Sequence, residues 1–569
     1  MKLIRLKILD HHGFRGLPKD FEYYFRHPGL IDNKTLNFAP FVCAGLNGSG
    51  KSNLLEVLAA IFFHLDCKMS SYLPELFVYD KDKVPDGYQQ LNAIPNEFEL
   101  EYLGTAFPSF QSTSEYDLPH IKIVKTKETV PLFYLLNAYG YESDIFLQNT
   151  EIEELQLLPD YIVAYSSGEN EILSLPFFKR RFIQFDWYLD SVRKQIPNSD
   201  VINNRLVYLD QEFNQAILLC NYIFQTEEIL KPFKEKIGLI DVKYFRIIIR
   251  DILYPSGKGI STDNTEQWRL LENVKNLQRK LAHCASTYFY DNQTDTHYYD
   301  FWLNKESKEL FKLHFGSALD LFQAFQLLLT LNLYSVSNSQ KVELYQSNSL
   351  YVNETIPRLP SDQRVMRFKD VVLKKQGVKQ ETFYTKALSD GENQLLHTLG
   401  LCILYRNTED RHISTLFLLD EPETHFNPQW RSEYISLLRD SLYDKETDTY
   451  GIDSHEMLIT THTPFLISDS EPNNVLVFSK NNGKINIKNP DYNTFGASIS
   501  KINLETFQKK ETIGSYAKDQ ALEKFKEEAK KPIINKEQLI NQINNTLGDS
   551  IEKILLIKSI LDKDEEIKG

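Results

Sequence analysis

Polar and apolar positions change period along the chain, and the changes mark out its elements. In MKLIRLKIL the apolar Leu3, Leu6 and Ile8 are interspersed with basic Lys2, Arg5 and Lys7, which predicts a strand. A short apolar run, residues 38–46, enters a glycine-rich loop. Helix formers without a breaker follow over 52–65. Further strands are predicted at 97–104, 120–126 and 160–166. Over 185–345 the pattern turns mostly helical, most clearly at 212–233 and 318–334. Heptads are not sustained there, so a long coiled coil is not expected. Strand-like segments return at 367–375 and 381–388, and a helix is predicted over 391–407. Next come a buried strand, STLFLLDEP, a helix after NPQW, the strand HEMLITTH, and a last pair near NVLVFSK and GKINIKN. Repeated alternation of strands and helices predicts an α/β fold with a parallel, doubly wound sheet.

The tail from about residue 503 is charged. Its apolar Ile540, Ile543, Leu547, Ile551, Ile554 and Leu555 recur mostly every three or four residues, which predicts one stripe on one amphipathic helix. Such a helix either packs on its own domain or docks a partner; the Lys/Glu-rich KFKEEAKK before it slightly favours docking.

Composition narrows the class. The 569 residues are too many for one core and predict several domains. A 42% hydrophobic and 25% charged content is ordinary for a soluble chain. No apolar run is long enough to span a bilayer, and the N-terminus is too polar for a signal peptide, so a cytoplasmic location is expected. The net charge of -14 argues against indiscriminate coating of nucleic acid. The basic stretches KRRF (179–182) and LKKQGVKQ (373–380) could line a local groove, but a solvated surface is the favoured reading. Five dispersed cysteines with no CxxC pair are expected to be buried small hydrophobes.

The stretch GLNGSGKSN, residues 45–53, satisfies G-x-x-x-x-G-K-[ST] through Gly45, Gly50, Lys51 and Ser52. Backbone N–H groups must curl around phosphate oxygens, which calls for permissive residues, here Gly45, Gly48 and Gly50, with Asn47, Ser49 and Asn53 completing the loop. The helix that begins near Lys51 adds its positive end. Lys51 offers a cation to the β- and γ-phosphates of ATP, and Ser52 a hydroxyl to Mg²⁺. A second element is TLFLLDEPETHFNP at 415–428, a buried strand ending in two carboxylates. In open α/β sheets ligands bind at that end. Asp420 is suited to hold Mg²⁺, and Glu421 to polarise a water against the γ-phosphate.

With these residues in view, LSDGENQ (388–394) resembles the signature of ABC-type ATPases, of the kind found in SMC, RecF and OLD-like proteins. The phosphate loop, LLDEPETHFNP and LITTHTP resemble that family in the same order. The resemblance implies an ABC-type head: a doubly wound, mainly parallel sheet, an antiparallel β lobe and a large helical insertion. It implies that two heads pair head to tail, each ATP lying between one phosphate loop and the other copy's signature, with Ser389, Gly391 and Gln394 on the ligand. His462 resembles the switch histidine that senses the γ-phosphate, and Asn427 falls in the D-loop region. The Q-loop glutamine is not evident; AYSSGENEILSLPFF (164–178) occupies its place without one. Arg15 in FRGL resembles an arginine near the start of RecF- and SMC-like heads, or is a surface arginine.

More than three hundred residues separate Lys51 from the signature, a split unlike that of transporter ATPases. Within the soluble group, YIVAYSSGENEILSLPFF, RLVYLDQEFNQAILL and NTFGASISKI resemble the PtuA family, the ATPases of Septu and of related retron anti-phage defence systems. That resemblance implies a multimeric ATPase holding an HNH nuclease (PtuB-like) and, in retrons, a reverse transcriptase with its msDNA. The alternative is a RecF/SMC-like repair ATPase that clamps DNA. An autonomous OLD-like nuclease is disfavoured: 107 residues follow His462, and the DKD strings at 80–82 and 562–564 lie in charged, loop-like surroundings. The expected division is 1–180 for the first part of the head, 181–340 for a mainly helical insertion, 341–502 for the second part, and 503–569 for a helical tail.

Overall fold

The computed structural model describes residues 1–27, 31, 38–107, 110, 112, 118–137, 156–168, 170–193, 204–253, 268–269, 272–348, 356, 359–377, 383–408, 412–442, 455–509, 513–531 and 535–562. Lys563 and Asp564 of the second DKD string, and Val378, Lys379 and Gln380 of the second basic stretch, lie outside them.

A seven-stranded sheet runs through the middle of the molecule. Its order is Lys484–Lys488, Val475–Asn481, Phe41–Gly45, His455–Thr461, Thr415–Asp420, Tyr161–Ser166 and Leu206–Tyr208. Every pairing is parallel except the edge hairpin between Val475–Asn481 and Lys484–Lys488. Alternate side chains of the central strands enter two cores. Val42, Val163, Phe417, Leu419, Met457 and Ile459 face one, with the helices Asn214–Phe224, Ala318–Thr330 and Asp390–Leu404. Cys43, Ile162, Ala164, Leu416, Leu418 and Leu458 face the other, with the helix Lys51–Met69. Burial on both faces explains why these strands read as continuous apolar runs.

Two antiparallel sheets flank this centre. The first orders Phe21–Tyr24, Lys2–Ile8, Phe98–Leu103, His120–Lys125 and Leu132–Leu135 and shares the core of the helix Lys51–Met69. The second orders Thr287–Asp291, Thr296–Trp302, Leu239–Arg250, Met366–Lys375 and Phe383–Tyr384. The expectation of a mainly helical stretch at 181–340 therefore misses three strands of this sheet, as well as Leu206–Tyr208, which belongs to the central sheet. Ile252–Leu253 and Trp268–Arg269 form a further antiparallel pair, so the described residues carry three antiparallel sheets beside the central one.

The tail differs from its expectation too. Its stripe is split between the helices Lys536–Thr546 and Ile551–Asp562, with Leu547 capping the first. Leu522, Leu539, Ile543, Leu547, Leu556 and Ile560 form their own cluster, while Ile551, Ile554 and Leu555 are exposed. The KRRF stretch is not a solvated face, although Arg181 lines a cleft together with Arg364 and Arg367. Lys179, Arg180 and Arg181 are buried on the helix Glu171–Arg193, where Arg180 pairs with Asp66 at 2.7 Å and Arg181 with Asp210 at 2.8 Å. All five cysteines are free and buried, as expected.

Candidate nucleotide site

The phosphate loop, the acidic strand end and the strand that precedes His462 come together because Phe41–Gly45, His455–Thr461 and Thr415–Asp420 are consecutive neighbours in the sheet. Their carboxyl ends carry Gly45–Lys51, His462 and Asp420–Glu421.

The loop is shaped to approach a ligand with backbone. Gly45, Gly48 and Gly50 all have positive φ, of 151°, 73° and 93°. Leu46, Asn47 and Gly48 are exposed, whereas Ser49 is buried with no hydrogen-bond partner for its Oγ among the described residues. The helix Lys51–Met69 has no side-chain cap and no acidic residue in its first turn, so its N-terminal end is open to an anion. On the outer side, a Cβ on Gly50 would stand 2.1 Å from Ile485 Cδ1, so the edge hairpin presses directly on the loop. Asn53 carries its amide to the same place, beside Gly16 and Gly50.

Lys51 is nearly buried, and its ammonium donates to the carbonyls of Gly45 and Leu46 at 3.3 and 3.4 Å. Burial lowers its pKa, against the pull of Glu421 and Asp420. Its Nζ is also 2.9 Å from His462 Nε2, which in turn lies 2.9 Å from Glu421 Oε1. That nitrogen donates to Glu421 when protonated and accepts from Lys51 when it is not. His462 and then Lys51 hold the Glu421 carboxyl below its ordinary range, against its partial burial. Glu421 has a left-handed backbone, φ 51°, and its N–H donates to Thr460 O at 3.2 Å and Thr460 Oγ1 at 3.0 Å. Such strain at a non-glycine residue is held by its surroundings and concentrates at functional sites.

Asp420 is the most heavily bonded group in the cluster. Ser52 Oγ and Thr460 Oγ1 donate to Oδ1 at 2.9 and 2.6 Å. Ser166 Oγ and Asn170 Nδ2 donate to Oδ2 at 3.2 and 3.3 Å. A hydroxyl and a carboxylate oxygen in contact at the mouth of a phosphate loop form a hard-oxygen donor set that suits Mg²⁺. Ser166 and Asn170 lie in the 164–178 segment, which takes the place of a Q-loop without a glutamine. Only the fold could reveal them, because nothing local in AYSSGEN marks either residue as a partner of Asp420. Glu423 was missed as well. It is 1% exposed, burial pushes its carboxyl up to about 7, and Thr461 Oγ1 donates to it.

The signature residues divide. Ser389 caps the helix Asp390–Leu404 in a reciprocal box: its Oγ accepts from Glu392 N at 3.3 Å and its N–H donates to Glu392 Oε2 at 2.9 Å. Gly391 packs against the loop after the acidic strand, where a Cβ would come 2.8 Å from His425 O. Gln394 does not join an outward face. It is buried, accepting from His425 N at 2.8 Å and donating to Tyr165 Oη at 3.3 Å. Asn427 caps its own helix, accepting from Trp430 N at 2.8 Å. Arg15 pairs with the buried Glu56 at 3.1 Å. Among the described residues, no hydrogen bond or ion pair joins 388–394 to the phosphate loop of the same chain.

No family model and no curated protein matches the chain. Among solved structures it is similar to an SMC head domain with an extended coiled coil from Pyrococcus furiosus, bound to the C-terminal domain of ScpA, at 13% identity and a TM-score of 0.31, covering 86% of this chain and 96% of that one. It is also similar to the SMC head domain of Thermotoga maritima, at 10% identity and a TM-score of 0.31, covering 86% of this chain and 100% of that one.

Proposed function

We propose that the chain is an ABC-type ATPase that binds and hydrolyses ATP with Mg²⁺ and serves as the regulatory scaffold of an anti-phage defence complex. In this reading it controls a separate HNH nuclease of the PtuB kind, joined in retron systems by a reverse transcriptase and its msDNA. The observation that carries the ATPase reading is the contact between Ser52 and Asp420 beside Lys51, Glu421 and His462. When bound, Mg²⁺ supplies charge neutralisation at the phosphate oxygens.

The chain's own residues divide the remaining work. Open N–H groups at the head of Lys51–Met69 and the Lys51 ammonium bind the phosphates. Ser52 and Asp420 would hold the cation. Glu421, kept ionised by His462 and Lys51, accepts the proton of the attacking water. His462 Nε2–H is placed to orient Glu421 or a γ-phosphate oxygen once Lys51 has turned to the ligand. Ser389 and Gly391 of a second copy close the far side, which makes ATP a link between copies and hydrolysis a release step.

The defence role is supported by the sequence segments that resemble the PtuA family. It is tested by co-purifying the chain with the products of its neighbouring genes and measuring the mass of the assembly. A complex containing an HNH nuclease is expected. Duplex DNA held in an ATP-dependent, salt-sensitive manner with no partner would instead support the repair clamp.

A further inference from the structure

Asp420 is not held by the phosphate-loop helix alone. Behind it runs a polar chain, Arg15–Glu56–Asn170–Asp420, that reaches a surface turn. Asn170 is fixed at both ends of its amide. Its Oδ1 accepts from Ile172 N and Leu173 N at 3.2 and 3.1 Å, so the oxygen is committed to the first turn of Glu171–Arg193. That orientation turns Nδ2 the other way, where its two protons reach Glu56 Oε1 at 3.2 Å and Asp420 Oδ2 at 3.3 Å. Ser166 Oγ reinforces the arrangement by accepting from Asn170 N at 3.1 Å while donating to Asp420 Oδ2. Oδ2 is thereby occupied from behind, and Oδ1, which also accepts from Thr460 Oγ1, is the oxygen that faces Ser52.

Glu56 lies one helical turn after Ser52, on the same face. It is 6% exposed, too buried to hold a charge unaided. Arg15 supplies the counter-charge at 3.1 Å and anchors itself on Asn348 O at 3.3 Å.

We propose that Asn170 and Glu56 are positioning residues that aim Asp420 at the divalent cation, and that Arg15 keeps them in that arrangement. The inference rests on the Mg²⁺–ATP reading above. It fits the behaviour of groups behind a metal ligand, whose loss typically costs about 10–100-fold in metal affinity.

The test separates cation from nucleotide. Binding of a fluorescent ATP analogue is measured in EDTA and across a Mg²⁺ titration, in wild type and in Asn170→Asp, Glu56→Gln, Arg15→Ala and Arg15→Lys. Asn170→Asp keeps the helix cap but turns an oxygen towards Asp420. It and Arg15→Ala are expected to raise the Mg²⁺ concentration for half-saturation about tenfold or more, with the EDTA affinity within about twofold of wild type. Glu56→Gln is expected to shift in the same direction, and Arg15→Lys to stay near wild type. Arg15 is partly exposed, so its variants decide the matter if the buried ones do not fold. Unchanged Mg²⁺ dependence, or equal loss with and without Mg²⁺, overturns the inference while leaving the nucleotide reading intact. A wild-type chain that binds no nucleotide overturns both.

Discussion

Ser52 Oγ donates to Asp420 Oδ1 at 2.9 Å across 368 residues of sequence. The contact joins the first turn of one helix to the end of a strand two places away in the sheet. It exists because His455–Thr461 lies between Phe41–Gly45 and Thr415–Asp420, and brings Thr460 and His462 to the same end.

Glu421 is the first residue to test. Its carboxyl faces His462 and is held ionised, which suits a base for water. Glu421→Gln keeps the shape and removes the carboxylate proposed as the base. Hydrolysis is expected to fall by about 10²–10⁴-fold with ATP binding retained. Nucleotide-linked dimers should then accumulate by light scattering. Hydrolysis at the wild-type rate would assign the base elsewhere.

Gly391 tests the link between the signature helix and the loop after the acidic strand. A methyl group there would sit 2.8 Å from His425 O, a backbone atom that cannot swing aside. Gly391→Ala is expected to cost about 1–3 kcal/mol in a urea melt and to lower ATP turnover. A melt and a turnover equal to wild type would mean that the helix and loop shift freely.

Glu423 gives a dependence on pH. Its folded pKa is raised to about 7 by burial, from 4.5. A raised carboxyl favours the folded state fully below about 4.5, and that contribution is lost as pH rises towards 7. Glu423→Gln removes the titration but keeps an acceptor for Thr461. Relative to wild type, the variant's Tm should rise between these two pH values and level off above the upper one. A constant difference across the range would show that Glu423 does not titrate there.

The tail supplies a separable prediction. Its cluster is built from residues 513–560 alone, whereas the preceding helix Ile499–Glu505 places Ile502 in the head's core. Truncation after 509 should leave the thermal melt of the head and its ATP turnover unchanged while removing any partner that docks on Ile551, Ile554 and Leu555. Loss of folding would mean that the tail supports the head.

What the sequence made legible follows from locality. The phosphate loop, the acidic strand end and the signature are contiguous strings whose chemistry is set by adjacent residues. The central strands show as apolar runs because both faces are buried. Leu239–Arg250 was hidden because its partners, Met366–Lys375 and Thr296–Trp302, are distant, and its burial alternates irregularly among surrounding helices. The break in the tail was written in Gly548–Asp549–Ser550, but the apolar spacing carried across it. Asn170, Glu56 and Glu423 acquire their roles from partners on other elements, and no local pattern announces that. Gln394 marks the opposite limit: its motif position pointed to the ligand, and the fold turns it inward to Tyr165 and His425.

The central claim is that Lys51 and the open helix end beside it bind the phosphates of ATP. Equilibrium binding of ATP with Mg²⁺, measured by calorimetry on the wild-type chain and on Lys51→Ala, tests it most directly. The account predicts one ATP per chain for wild type and at least a roughly tenfold weaker Kd for the variant, about 1.4 kcal/mol or more. Equal affinity in the two proteins, or no binding to wild type, would contradict it.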